Sequence, residues 1–147
     1  MSRKQDRAHV MKLVFQLEYE CDTSKIMKEY FDSFLDAEED FPQETEFDSI
    51  EHIFIEKEFN GVVSDLTEID RIIAENTSKW QIKRISKADL AILRVAIFEM
   101  LFNDDVPPGV AVNEAVELAK IYSSDDAPAF INGVLGRIYD VYAKKQP

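Results

Sequence analysis

Cysteine is almost missing from this chain: Cys21 stands alone in 147 residues, which excludes an internal disulfide framework and makes a small core or boundary role its plainest reading. Histidine is nearly as scarce. His9 and His52 show no metal-ligand spacing such as H-x-x-x-H, so both are read as helix-surface residues rather than ligands. No glycine-rich phosphate loop occurs, and no apolar run approaches membrane-spanning length. The N-terminus carries charges but no apolar signal stretch, so a cytoplasmic protein is the simplest expectation. Four Gly and five Pro among abundant Ile, Leu, Val and Phe, with no strict alternation over strand length, exclude a strand-rich fold. Catalysis needs a nucleophile with its base, a metal cluster or a positioned carboxylate pair. The pairs Glu38-Glu39 and Asp125-Asp126 are adjacent, so their side chains diverge on a helix and solvation or capping explains them. A non-enzyme without cofactor is expected.

What remains is helical pattern. The chain reads as all-α, with about seven helices in a single domain over residues 1–147. The first helix is expected from Arg3 to Glu20 with Val10, Met11, Val14, Phe15 and Leu17 on its apolar side, and the second from Ser24 to Glu38. An acidic loop follows from Phe41-Pro42 to Glu46. From Asp48 a long helical pattern runs through Ile50, Ile53, Phe54, Val62, Leu66, Ile69, Ile72 and Ile73. Gly61 interrupts it, which predicts a break near Asn60-Gly61 or a backbone packed closely against it. A turn from Ser78 to Ile82 leads to Ser86-Lys87-Ala88-Asp89, the pattern of a capping box, and then to a core helix carrying Leu90, Leu93, Ile97, Met100 and Leu101.

The net charge of −12 opposes nucleic-acid binding, which draws most of its affinity from phosphate neutralisation. Its distribution reverses that impression. Eleven acidic residues against Lys57 give −10 between Asp32 and Glu58, so the other 120 residues carry only −2. Two windows are locally basic: Arg3, Lys4, Arg7 and Lys12 against Asp6, and Lys79, Lys83, Arg84, Lys87 and Arg94 against Asp89. The first cluster sits at the helix end that the dipole would fill with anions, a small local cost.

The most specific stretch is Pro107 to Ile138. Two prolines stop the preceding helix; Val110, Val112, Val116, Ala119 and Lys120 follow helical spacing expected to bury one stripe. Ser123-Ser124-Asp125-Asp126 forms an elbow, with an aspartate cap and Pro128 opening the next helix, whose buried face is Phe130, Ile131, Val134, Leu135 and Ile138. Asn113 and Glu114 are read as fixing the first turn after the prolines, and Gly133 as permitting close helix packing. Arg94 and Glu99 are read chiefly as structural charges on a mostly buried helix.

These residues resemble the NusB family of transcription antitermination factors over nearly the whole chain. The block from Val110 to Lys120 with Phe130-Ile131-Asn132-Gly133-Val134-Leu135 is similar to the family's C-terminal signature, and Pro107 precedes it. Trp80, Ile82, Arg84-Ile85, Asp89, Ile92-Leu93-Arg94, Ala96 and Glu99 resemble its central helix and the turn before it. Gly61-Val62 and Ile69-Asp70 fit the segment upstream, and Arg3-Lys4, Arg7 and Phe15-Gln16 its arginine-rich opening.

The resemblance implies a compact bundle of two packed halves that pairs with ribosomal protein NusE. It further implies binding to boxA-type single-stranded RNA of ribosomal RNA leader transcripts, within the RNA polymerase antitermination complex. Carried over by position, it assigns RNA contact to Arg3, Lys4 and Arg7, and to Asp126 and Phe130 at the elbow. Three positions depart from the family: Asp6 replaces a small residue, Ala129 a common lysine and Ser123 a common glycine, which together predict weak RNA binding without the protein partner. Monomer and homodimer both remain open. So do two other readings: the NusB-like module of a ribosomal RNA methyltransferase, and an RNA-independent adaptor acting through acidic residues 32–58.

Overall fold

The computed structural model describes residues 3–40, 49–77 and 83–143, and the regular elements among them are all helical. In chain order they are α1 (Arg3–Phe15), a 3₁₀ turn (Gln16–Glu18), α2 (Thr23–Asp40), α3 (Ser49–Ser64), α4 (Leu66–Asn76), α5 (Lys87–Ile97), α6 (Pro108–Tyr122) and α7 (Ala127–Ile138). Wider π turns at Phe98–Phe102 and Tyr139–Ala143 extend α5 and α7. The all-α expectation and the number of helices both hold for the described residues. The acidic loop from Phe41-Pro42 to Glu46 and the turn from Ser78 to Ile82 lie outside them, as do the side chains of Phe34, Leu35, Ile50 and His52.

Helices α1 to α3 form one half and α4 to α7 the other, joined where α1 packs against α5. Both central helices must bury more than one stripe. α1 buries Val10, Met11, Leu13 and Val14 around much of its circumference, and α5 buries residues 91–97 without interruption. This explains why neither shows a clean amphipathic pattern. α4 lies at the periphery and presents Ile69, Ile72 and Ile73, the i, i+3, i+4 stripe of a surface helix. α6 and α7 fold back on each other as a hairpin over α5.

Several local expectations change. α1 stops at Phe15, because the chain tightens into the 3₁₀ turn, where Tyr19 N donates to Gln16 O at 2.9 Å. The third helix does not break at Asn60-Gly61. It continues to Ser64, and Gly61 is required because the ring of Phe98, not a backbone, occupies the space a Cβ would fill. Gly133 has open space around it and carries no packing role. On α6 the buried line is Ala111, Ala115, Leu118 and Ala119, whereas Val110 and Lys120 are exposed, so the anticipated stripe is rotated toward its small residues. Small side chains there let α5 and α7 approach.

The Ser86 hydroxyl accepts from Asp89 N at 3.1 Å, half of the expected capping box. The other half is diverted: the Asp89 carboxylate accepts from Ser123 Oγ at 2.5 Å and so ties the start of α5 to the elbow. Asp126 occupies the cap position of α7, but its carboxylate makes no capping bond; its backbone carbonyl accepts from Phe130 N instead. Cys21 is exposed rather than in the core or at its boundary.

Candidate nucleic-acid interface

α6 leads into the elbow, and side chains of the basic helix α1 reach it at two points. Lys4 Nζ lies 3.9 Å from Glu117 on α6, with Lys120 Nζ at 3.0 Å on the other oxygen of that carboxylate. Further along, Lys12 Nζ stands 5.2 Å above the Tyr122 ring, within cation–π range. Tyr122 is a shared wall. On one side it borders a cavity of about 410 Å³ with Lys12, Phe15, Tyr30 and Ala88. On the other it borders a cavity of about 580 Å³ with Arg84, Asp89, Asp126 and Phe130. Ile121, beside it, is 61% exposed, so the elbow presents apolar and aromatic surface flanked by cations.

Of the five residues assigned to RNA, Asp126 and Phe130 line one cavity, and Lys4 reaches the helix that leads to it through Glu117. Asp126 is exposed and free of any capping bond, and Phe130 is half-buried in the cavity wall. The other two turn elsewhere. Arg7 is buried, with its Nε donating to both oxygens of Glu99 at 3.0 and 2.9 Å. Arg3 lies 3.9 Å over the Phe54 ring and pairs with buried Asp6 at 2.7 Å, facing α3. Asp6 is thus a fixture for Arg3 rather than a mere subtraction from the basic end. Lys12 and Tyr122 are the residues that sequence reasoning left out of the site. Their signal was an aromatic residue closing a helix immediately before a polar elbow, opposite a lysine whose neighbourhood only the fold reveals.

Electrostatics divide the two surfaces. Around the elbow the phenol of Tyr30 is pushed upward, first by burial and then by the neighbouring Tyr122 hydroxyl, so it stays a neutral donor at physiological pH. Its oxygen lies 2.5 Å from His9 Nδ1. Beneath Arg7, burial and the charge of Glu99 push Glu58 up to about 8, and burial also raises Glu99 in spite of Arg7. A separate clamp holds the two halves of the bundle together. Arg94 donates from Nε and Nη2 to Asp70 on α4 at 2.9 Å each, and from Nη1 to Glu18 at 2.6 Å. Arg94 and Glu99 are therefore both structural, each with a different partner. Among the described residues no group of His, Cys, Asp and Glu is arranged to hold a metal, and no helix is long and apolar enough to cross a membrane.

The family model described as NusB matches residues 4–140. The transcription antitermination protein NusB of Clostridium novyi is 42% identical over 140 residues, 94% of this chain and 98% of that protein. The structure of T. maritima NusB superposes with a TM-score of 0.81 at 30% identity, covering 97% of this chain and 94% of that one. The same fold appears, at 23% identity and a TM-score of 0.74, in antitermination factors NusB and NusE in complex with double-stranded RNA, covering 97% of this chain and all of the matched chain. Matched over nearly its whole length in sequence and in fold, the chain belongs to the NusB family.

Proposed function

We propose that this chain is a cytoplasmic transcription antitermination factor that binds boxA-type single-stranded RNA of ribosomal RNA leader transcripts jointly with ribosomal protein NusE, and so equips RNA polymerase to pass terminators. The observation that carries the RNA reading is the elbow. Tyr122 and Phe130 line one cavity with Asp126 and Arg84, and Lys12 covers the far face of Tyr122. Single-stranded RNA is recognised by stacking of splayed bases on aromatic rings, by polar groups that read base edges and by cations that follow the backbone. Asp126 can accept from base amino groups because its carboxylate is not spent on capping α7. The relatives' name supports the antitermination role, and the NusB–NusE–RNA assembly of the more distant structure supports the partnership.

Arg7 acts here as support for α1 rather than as an RNA contact, since it is buried against Glu99. The RNA assignment accordingly rests on Lys4, Asp126 and Phe130, with Arg3 at the edge. The experiment is a binding titration of a boxA-type RNA oligonucleotide, with and without NusE, against wild type and Phe130→Ala. Loss of one stacking ring weakens binding by about 1–3 kcal/mol. Identical isotherms for both proteins in both conditions would overturn the reading.

A further inference from the structure

Arg3 and Arg7 do not face the elbow; they line a different cavity of about 280 Å³ between the start of α1, α3 and the loop after the first π turn, with Lys57, Glu58, Asn103 and Val106. Three cations converge on this small space. Of the three buried carboxylates near them, two are engaged and the third holds its proton. Asp6 holds Arg3, and Glu99 holds Arg7. Glu58 is 1% exposed, in contact with no cationic side chain at bonding distance, and burial beside Glu99 keeps its proton on to about pH 8. Asp105 stands exposed at the rim.

The protonated Glu58 leaves a specific vacancy in hydrogen bonding. Its Oε1 accepts from Asn103 Nδ2 at 3.4 Å, a long contact, while its Oε2 is buried with no partner. When Oε1 is the carbonyl oxygen, Oε2 carries the hydrogen, and a buried donor faces no acceptor. A carboxyl in this state can donate its hydrogen to an anion. Lys57, exposed on α3, stands at the mouth with charge to offer, and Arg3, half-exposed on α1, keeps guanidinium N–H donors beyond the one it gives Asp6.

The geometry points to a phosphate-binding site in this cavity: Arg3 and Lys57 take the charge of a phosphate group at the mouth, and the Glu58 carboxyl and Asn103 amide serve as neutral donors beneath it. If the group is an RNA phosphodiester, the site extends the RNA track from the elbow around the start of α1 onto α3, and to that extent rests on the function proposed above. A free phosphate ester would use the same chemistry.

The test uses the full chain and reads the amide resonances of Lys57, Glu58 and Asn103 by NMR. Inorganic phosphate at pH 7.5 shifts these resonances saturably in wild type and much less in Lys57→Ala. Sulfate, whose charge is constant over the range, binds at pH 7 and loses affinity several-fold by pH 9.5 as Glu58 ionises, in line with ordinary charge linkage. Glu58→Gln keeps a neutral donor and holds sulfate equally at both pH values. In RNA titrations Lys57→Ala weakens binding by roughly three- to tenfold while Lys28→Ala on α2 does not, if the bound group is the RNA backbone. Phosphate binding with no effect of Lys57→Ala on RNA assigns the cavity to a free phosphate ester. Absence of saturable phosphate shifts overturns the site, as does sulfate affinity that is flat or rising with pH in wild type. Failure of wild type to bind RNA overturns the elbow reading alone, since the phosphate arm reports independently.

Discussion

At the scale of single residues, charges are sorted by what surrounds them more than by where they fall in the chain. Arg3, Lys4 and Arg7 share one basic window, yet they meet Asp6, Glu117 and Glu99 respectively. Local sequence exposes only the first of these pairs; Arg7 and Glu99 are separated by 92 positions, and nothing in their own neighbourhoods announces the contact. Removing Arg7 leaves Glu99 buried without its counter-charge, so Arg7→Ala is expected to cost about 3 kcal/mol in urea unfolding, an effect a solvated RNA contact would not show. Glu58 gives a second expectation. Its folded-state affinity for the proton exceeds that of the unfolded chain, so the folded state binds more protons and wild-type stability falls as pH rises from the ordinary carboxylate range toward about 8. Glu58→Gln lacks that titration. Denaturation at pH 5 and pH 7.5 should show the variant gaining about 2 kcal/mol on wild type, and parallel behaviour of the two would refute the assignment.

At the scale of elements, local chemistry predicted starts better than stops. Ser86 was legible because a hydroxyl three residues before an amide has one obvious use, and it caps α5 as expected. Asp126 carries equally good cap chemistry, yet the capping bond is absent, because neighbouring backbone groups close the first turn of α7. Glycines were misread for a related reason: the sequence shows that a side chain is missing but not what fills the space. Gly61 receives Phe98, and Gly133 faces open space. Two substitutions separate these roles. Gly133→Ala should stabilise by about 0.5–1 kcal/mol through helix propensity and a less flexible unfolded chain. Gly61→Ala brings the same propensity gain but forces a buried ring to move, and is expected to destabilise by about 1–3 kcal/mol. Thermal or urea unfolding of the pair checks both signs.

At the scale of the whole molecule, the fold class was readable because helical periodicity and the scarcity of glycine and proline act over many residues together. The site was readable only in part. Its elbow residues are close in sequence, but Lys12 and Tyr122 meet through the packing of the bundle. The overall charge of −12 is likewise a poor guide to binding, because the cations that face the elbow and the acidic stretch occupy different parts of the chain. Salt dependence tests that separation. Each phosphate contact on a single strand contributes about −0.7 to the slope of log affinity against log salt, so Lys4→Ala with Lys12→Ala should flatten the slope by about 1.4 without altering stability. A slope unchanged in the double variant would place RNA elsewhere.

The π turn after α5 also sets the spacing of two N-terminal helices. Phe98 sits on Gly61 of α3, and the next residue, Glu99, holds Arg7 of α1. Two consecutive side chains thus dictate how far apart the ends of α1 and α3 stand, although neither belongs to the N-terminal half. The spacing between Arg3 and Lys57 is inherited from the C-terminal half of the chain, so a peptide of the first 77 residues would own every cation of the basic opening and still lack the ruler that sets them apart.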